Sequence, residues 1–123
     1  MKCDRTVSID ALKSVLKRFR NKRDWVKFHD PKNLAEAITI EASELLELFL
    51  WKGPVEIERM MKADKAYRRE IENELADVFC FSFNLANALD LDVATIVQRK
   101  IRENGKRYPV QKSRGTAAKY SKL

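Results

Sequence analysis

The chain has 123 residues, 45% of them hydrophobic, which suits one domain over 1–123 with a real core and excludes a two-domain layout. Only three Gly and three Pro stand against many Leu, Ala, Glu, Lys and Arg, so a strand-and-turn architecture is excluded and an all-α protein is expected. The formal charge of +7 is uneven: residues 106–123 hold six basic residues and no acid, and the remainder is nearly balanced at 19 basic and 18 acidic. The feature to explain is a basic tail.

Ser8 is placed to cap a first helix to about Lys22, in which Ile9, Leu12, Val15, Leu16 and Phe19 fall at helical spacing. Lys13, Lys17, Arg18 and Arg20 are assigned to its other faces. Pro31 breaks the pattern, and Asn33 with Glu36 gives a capping-box-like start to a second helix that runs to the stop at Gly53-Pro54. A turn or two of helix is expected around Val55 to Met61. The longest helix follows, from about Lys65 to Leu89, and from Val78 onward it is apolar nearly all round. Such a helix must be covered on every side, and a chain this short has little to cover it with, so a homo-oligomer, dimer or tetramer, is expected. Asp92 caps a further helix ending at Asn104-Gly105, and residues 106–123 show no periodicity and are expected to be extended or loop.

Cys3 and Cys80 form neither a disulfide framework nor a metal-site spacing, which points to reduced thiols and a cytoplasmic protein. No leader is visible, and the apolar run Val78 to Leu91 is interrupted by Ser82, Asn84 and Asn87, so no membrane partner is expected.

The stretch EASELLELFLW sets Glu41 and Glu44 on one face of a helix, with Leu48 and Trp51 continuing that stripe. The stretch ENELADVFCFSFN repeats the plan: from Glu74 the same offsets give Asp77, Phe81 and Asn84. One such pair alone is a common solvated surface. Two pairs, each in the most apolar part of its helix, would converge four carboxylates if the helices face each other, and an all-oxygen ligand set suits Mg²⁺ or Mn²⁺ better than zinc. Glu47 lies about 120° from Glu41 around the helix and reads equally as a second base or a rim residue. His29, the only histidine, cannot build a zinc site or a Ser-His-Asp system alone and is assigned a structural or substrate-contacting role. Trp25, Phe28, Trp51 and Phe81 would by default be core, whereas Asn84 on an apolar stripe needs a partner or a ligand's polar edge.

The segments RDWVKFHDPKNLAEAITIEASELLELFLWK, ELADV, NGKRYPV and SRGTAAKY, in this order, resemble the MazG-like nucleotide pyrophosphohydrolases, in particular the dCTP pyrophosphatase branch. The resemblance runs from about Leu12 to Tyr120. It implies a four-helix-bundle-like all-α fold and Mg²⁺-dependent cleavage of a nucleoside triphosphate to monophosphate and pyrophosphate, a nucleotide-pool function. It implies Glu41, Glu44, Glu74 and Asp77 as metal ligands and Trp25, Trp51 and Phe81 in a base pocket; the residues themselves add Glu47 to Glu41 and Glu44 as a candidate catalytic acid, and His29 and Asn84 as candidate substrate contacts. Lys100, Asn104 and Tyr108 would by the same resemblance reach sugar and phosphates, and the basic tail offers Arg107 as a candidate clamp for phosphate oxygens. Leu16 and Phe81 stand where vertebrate-type relatives carry a pocket histidine and tyrosine, so a preference for cytosine does not follow from the resemblance. Two other readings share parts of the pattern, a phosphoribosyl-ATP pyrophosphohydrolase and a non-enzymatic helical nucleic-acid binder using the basic tail. Missing Glu-x-x-His motifs set a carboxylate-bridged iron protein behind both, and nucleic acid is not the expected partner.

Overall fold

The computed structural model describes residues 2–123. Ser8 caps α1 (Ile9–Lys22) as its position predicts, its Oγ accepting from the Ala11 amide at 3.0 Å. Helix α2 (Pro31–Glu47) differs from the sequence reading at both ends. Its cap is Asp30, which accepts from the Asn33 amide at 2.9 Å, with Pro31 at the first helical position. Asn33 instead sits inside the first turn and donates from Nδ2 to the Phe28 carbonyl at 3.1 Å, tying down a 3₁₀ turn at Val26–Phe28. At the other end the helix stops at Glu47, six residues before Gly53. From Leu48 to Leu50 each amide reaches back three residues instead of four, and Trp51 then turns the chain with φ +62°. Trp51 is thus off the helix and 93% exposed, so it neither continues the Glu41–Glu44 stripe nor belongs to the core.

Gly53 and Pro54 start α3 (Pro54–Ala63), and Asp64 caps α4 (Lys65–Ala88) by accepting from both Ala66 and Tyr67 amides at 3.0 Å. The longest helix is α4, and α1, α2 and α3 all pack on it. The buried apolar side chains of this group are Leu34 of α2 and Tyr67, Ile71 and Ala86 of α4. Tyr67 adds a bond across the packing: its phenol donates to the Leu48 carbonyl at 2.7 Å and holds the end of α2 against α4. Asn87 Nδ2 likewise donates to the Lys13 carbonyl at 3.0 Å, joining α4 to α1.

One expectation about packing changes. Arg20, assigned to an outer face of α1, is 8% exposed, because it falls four residues after Leu16 on the stripe that faces inward. The apolar half of α4 is not covered on all sides by its own chain, since Phe79 remains 52% exposed.

Contacts divide the chain into two compact units, Met1–Asp90 and Leu91–Leu123. In the second unit, Asp92 caps α5 (Val93–Arg107) as read from sequence, accepting from the Thr95 amide at 2.8 Å. The helix runs through Gly105 to Arg107. Glycine in an exposed helix weakens it by about 1 kcal/mol relative to alanine without ending it, and the effective stop is Pro109, which disfavours helical geometry at Tyr108. Residues 106–123 are therefore not loop throughout: they contain the end of α5, a short α6 (Val110–Ser113) and a 3₁₀ turn at Tyr120–Lys122. The second unit carries nine basic and two acidic residues, the whole +7 of the chain, and the first unit is balanced at 16 of each. The described residues contain no strand, and no single helix among them is long and apolar enough to cross a membrane.

Candidate active site

Glu41 and Glu44 face α4 from α2, and Glu74 and Asp77 face α2 from α4, because i,i+3 spacing puts each pair on one side of its helix. One carboxylate oxygen each from Glu41, Glu44 and Glu74 lies within a 4.8 Å cluster. Asp77 is outside that cluster, yet near enough for its charge to act on both Glu41 and Glu74. Half-burial pushes the Glu41 carboxyl up to about 7, with further contributions from the charges of Glu44 and Asp77, a hydrogen bond with Glu44, and the charge of Glu74. Glu74 is raised for the same reasons, desolvation first and Glu44 next. One of its oxygens, Oε2, is buried without any hydrogen-bond partner.

Acids so arranged are short of positive charge. A proton on Glu41 relieves part of the repulsion and leaves Glu74 Oε2 unsatisfied; a divalent cation would answer both, and hard carboxylate oxygens from two rigid helices are the donors such a cation prefers. The residues present fit a metal. Glu47, the last residue of α2, is exposed at the rim and outside the cluster.

A model of the MazG-like family matches residues 37–123. The chain belongs to the MazG-like family. This MazG-like chain is 36% identical over 116 residues to dCTP pyrophosphatase 1 of Rattus norvegicus, an alignment covering 94% of the chain and 68% of the relative. It is 32% identical to the protein of the same name from Homo sapiens over the same span. A crystal structure of a pyrophosphatase from Archaeoglobus fulgidus superposes with a TM-score of 0.75 at 36% identity, covering 82% of this chain and 92% of that one.

Of the residues assigned to substrate, five of this MazG-like chain lie in the first unit: Trp25, His29, Trp51, Phe81 and Asn84. Phe81 is half-buried, one turn beyond Asp77 on α4. Asn84 follows on the same stripe at 6% exposure, with Oδ1 buried and unpartnered. Trp25 packs edge-on against Phe19, ring centroids 5.9 Å apart, and lies 6.2 Å from His29. Burial lowers the His29 imidazole, and the nearby Arg20 charge adds to this, which keeps the ring neutral with Nδ1 buried and unpartnered. Trp51 projects into solvent. Lys100, Asn104, Arg107 and Tyr108 all lie in the second unit, where Lys100 pairs with Glu103 at 3.6 Å and Arg107 stands over the Tyr120 ring at 5.0 Å. The residue that sequence reasoning missed is Arg20; the available signal was its spacing of four from Leu16, outweighed by its resemblance to the surface lysines around it.

Proposed function

We propose that this chain hydrolyses a pyrimidine deoxynucleoside triphosphate, dCTP foremost, with Mg²⁺ held by Glu41, Glu44, Glu74 and Asp77, and that Mn²⁺ can replace it. The chain is a nucleotide pyrophosphohydrolase: water enters at the α-phosphorus, the α–β anhydride bond breaks, and monophosphate and pyrophosphate leave. What carries this reading is the convergence of acids from α2 and α4 with Glu74 Oε2 left unsatisfied. Four carboxylates alone would repel a triphosphate. When bound, the divalent cation would neutralise this repulsion, offset charge growing on the phosphates and acidify the attacking water.

The protein's own groups supply the rest. Glu41, raised to about 7, can hold or release a proton near neutral pH, and Glu47 at the rim is the second candidate for that task. Trp25, Trp51 and Phe81 are assigned to the base by stacking, with His29 shaping the Trp25 side. Lys100, Asn104, Arg107 and Tyr108 are assigned to sugar and phosphates, an Arg fork suiting phosphate oxygens.

A second copy of the chain, as dimer or tetramer, belongs to the same proposal. Leu12, Val15 and Phe19 of α1 and Phe79 of α4 are between 43% and 52% exposed, more apolar surface than a chain this small normally leaves to water. A panel of NTPs and dNTPs assayed for pyrophosphate with and without Mg²⁺ tests the function. Release of pyrophosphate from dCTP ahead of the rest is expected; absence of release from every nucleotide would refute it.

A further inference from the structure

Arg20 and Asn84 are the two polar or charged side chains that the first unit buries. A guanidinium taken out of water is costly unless its donors are used or its charge is paired. Arg20 donates from Nε to Asn21 Oδ1 at 3.3 Å, and none of the ion pairs among the described residues includes it. Its neighbours do not answer the charge. His29 is neutral beside it, and the Trp25 amide takes only the Arg20 backbone carbonyl, at 3.1 Å. The Nη groups of Arg20 thus have no acceptor from the chain, and they are not among the atoms sealed from solvent, so they remain free to donate to a ligand.

The helix register says where this group sits. Asn87 bonds to the carbonyl of Lys13, and Leu16 lines a hollow of about 540 Å³ with Cys80 and Phe83. Residue numbers rise along α1 as they fall along α4, so the two run antiparallel. One turn beyond Leu16, Arg20 comes to the level of Cys80 and Asp77, at the acid-bearing end of α4. Asn84 lies on the Asp77–Phe81 stripe by its spacing of seven and three, with a buried oxygen that also lacks a partner. By this register, the free donors on α1 come within about one turn of the unused acceptor on α4.

We propose that Arg20 is a specificity-determining residue, its guanidinium donating to the adjacent acceptors O2 and N3 of cytosine while Asn84 Oδ1 accepts from the exocyclic amino group. This rests on the pyrimidine dNTP reading above and adds the residue that chooses the base. Thymine and uracil carry N–H at N3, which sets donor against donor at Arg20, and a carbonyl at position 4, which sets acceptor against acceptor at Asn84. Stacking on Trp25 or Phe81 makes no such distinction.

The test compares the full chain with Arg20→Ala and Arg20→Lys on dCTP, dTTP and dUTP, and follows dCMP and dTMP binding to the metal-free proteins by tryptophan fluorescence. Arg20→Ala should lower kcat/KM for dCTP by about 10- to 100-fold with dTTP and dUTP nearly unchanged, and weaken dCMP but not dTMP. Arg20→Lys, which keeps the charge without the fork, should fall between, and it decides the matter if the alanine variant does not fold. An equal loss on all three nucleotides, or a wild-type preference for dTTP, overturns the assignment and leaves the reaction class standing. A wild-type chain that releases no pyrophosphate overturns the reaction instead, and the dCMP and dTMP series then decides Arg20: equal binding of the two by the wild type overturns it.

Discussion

Tyr67→Phe isolates one bond that couples the two helices bearing the acids. Tyr67 is 6% exposed, and its phenol donates to the Leu48 carbonyl, the first residue beyond α2, across 2.7 Å. Phenylalanine keeps the ring and its packing, so the loss is the hydrogen bond plus the cost of a carbonyl left without its partner, together about 1–3 kcal/mol. For a chain of this size that corresponds to a fall in Tm of about 5–10 °C. Urea denaturation followed by circular dichroism should show a lower midpoint at unchanged m, because no surface is newly exposed. The same variant should lower kcat/KM, since the end of α2 and the turn leading to Trp51 lose their tether to α4. A Tyr67→Phe protein within about 0.3 kcal/mol of wild type would refute the coupling, placing it in the range of an ordinary surface substitution.

Glu44→Ala should give a folded protein with activity down by orders of magnitude, and in the absence of metal a higher Tm than wild type, because it thins a cluster of like charges; near-normal turnover would exclude Glu44 from the site. The metal-free protein should lose stability as pH rises from about 4.5 to about 7, since across that window folded Glu41 retains a proton that the unfolded chain releases, and Glu74 is shifted with the same sign. Denaturation midpoints that climb with pH there would contradict it. Light scattering at micromolar concentration should report a mass well above 14.4 kDa, and a monomer would remove the proposed second copy.

Much of the arrangement is visible in the residues alone. Ser8 and Asp92 cap helices as their spacing indicates, and the acid pairs stand out because the same three-residue spacing occurs twice, each time in the most apolar part of its helix. The end of α2 was not visible. Gly53-Pro54 is a strong stop, but the helix has already tightened at Leu48, whose carbonyl is bound by Tyr67 of another helix, a contact that local sequence does not display. Trp51 was misplaced for that reason. Arg20 was hidden by its type: a cation at an inward position differs from its surface neighbours only through what packs over it, here the segment that carries Trp25 and His29 back toward α1. The basic tail was legible as a charge run, whereas its helical content and the confinement of all +7 to residues 91–123 depended on the division into units.

That confinement bears on how the enzyme meets its substrate. On the proposed function, a triphosphate in bulk solvent would meet one strongly positive unit and one with no net charge, and the attraction of the second unit would reach about a Debye length, about 8 Å at physiological ionic strength. Added salt shortens that reach. On the proposed function it would therefore slow encounter at low nucleotide concentration.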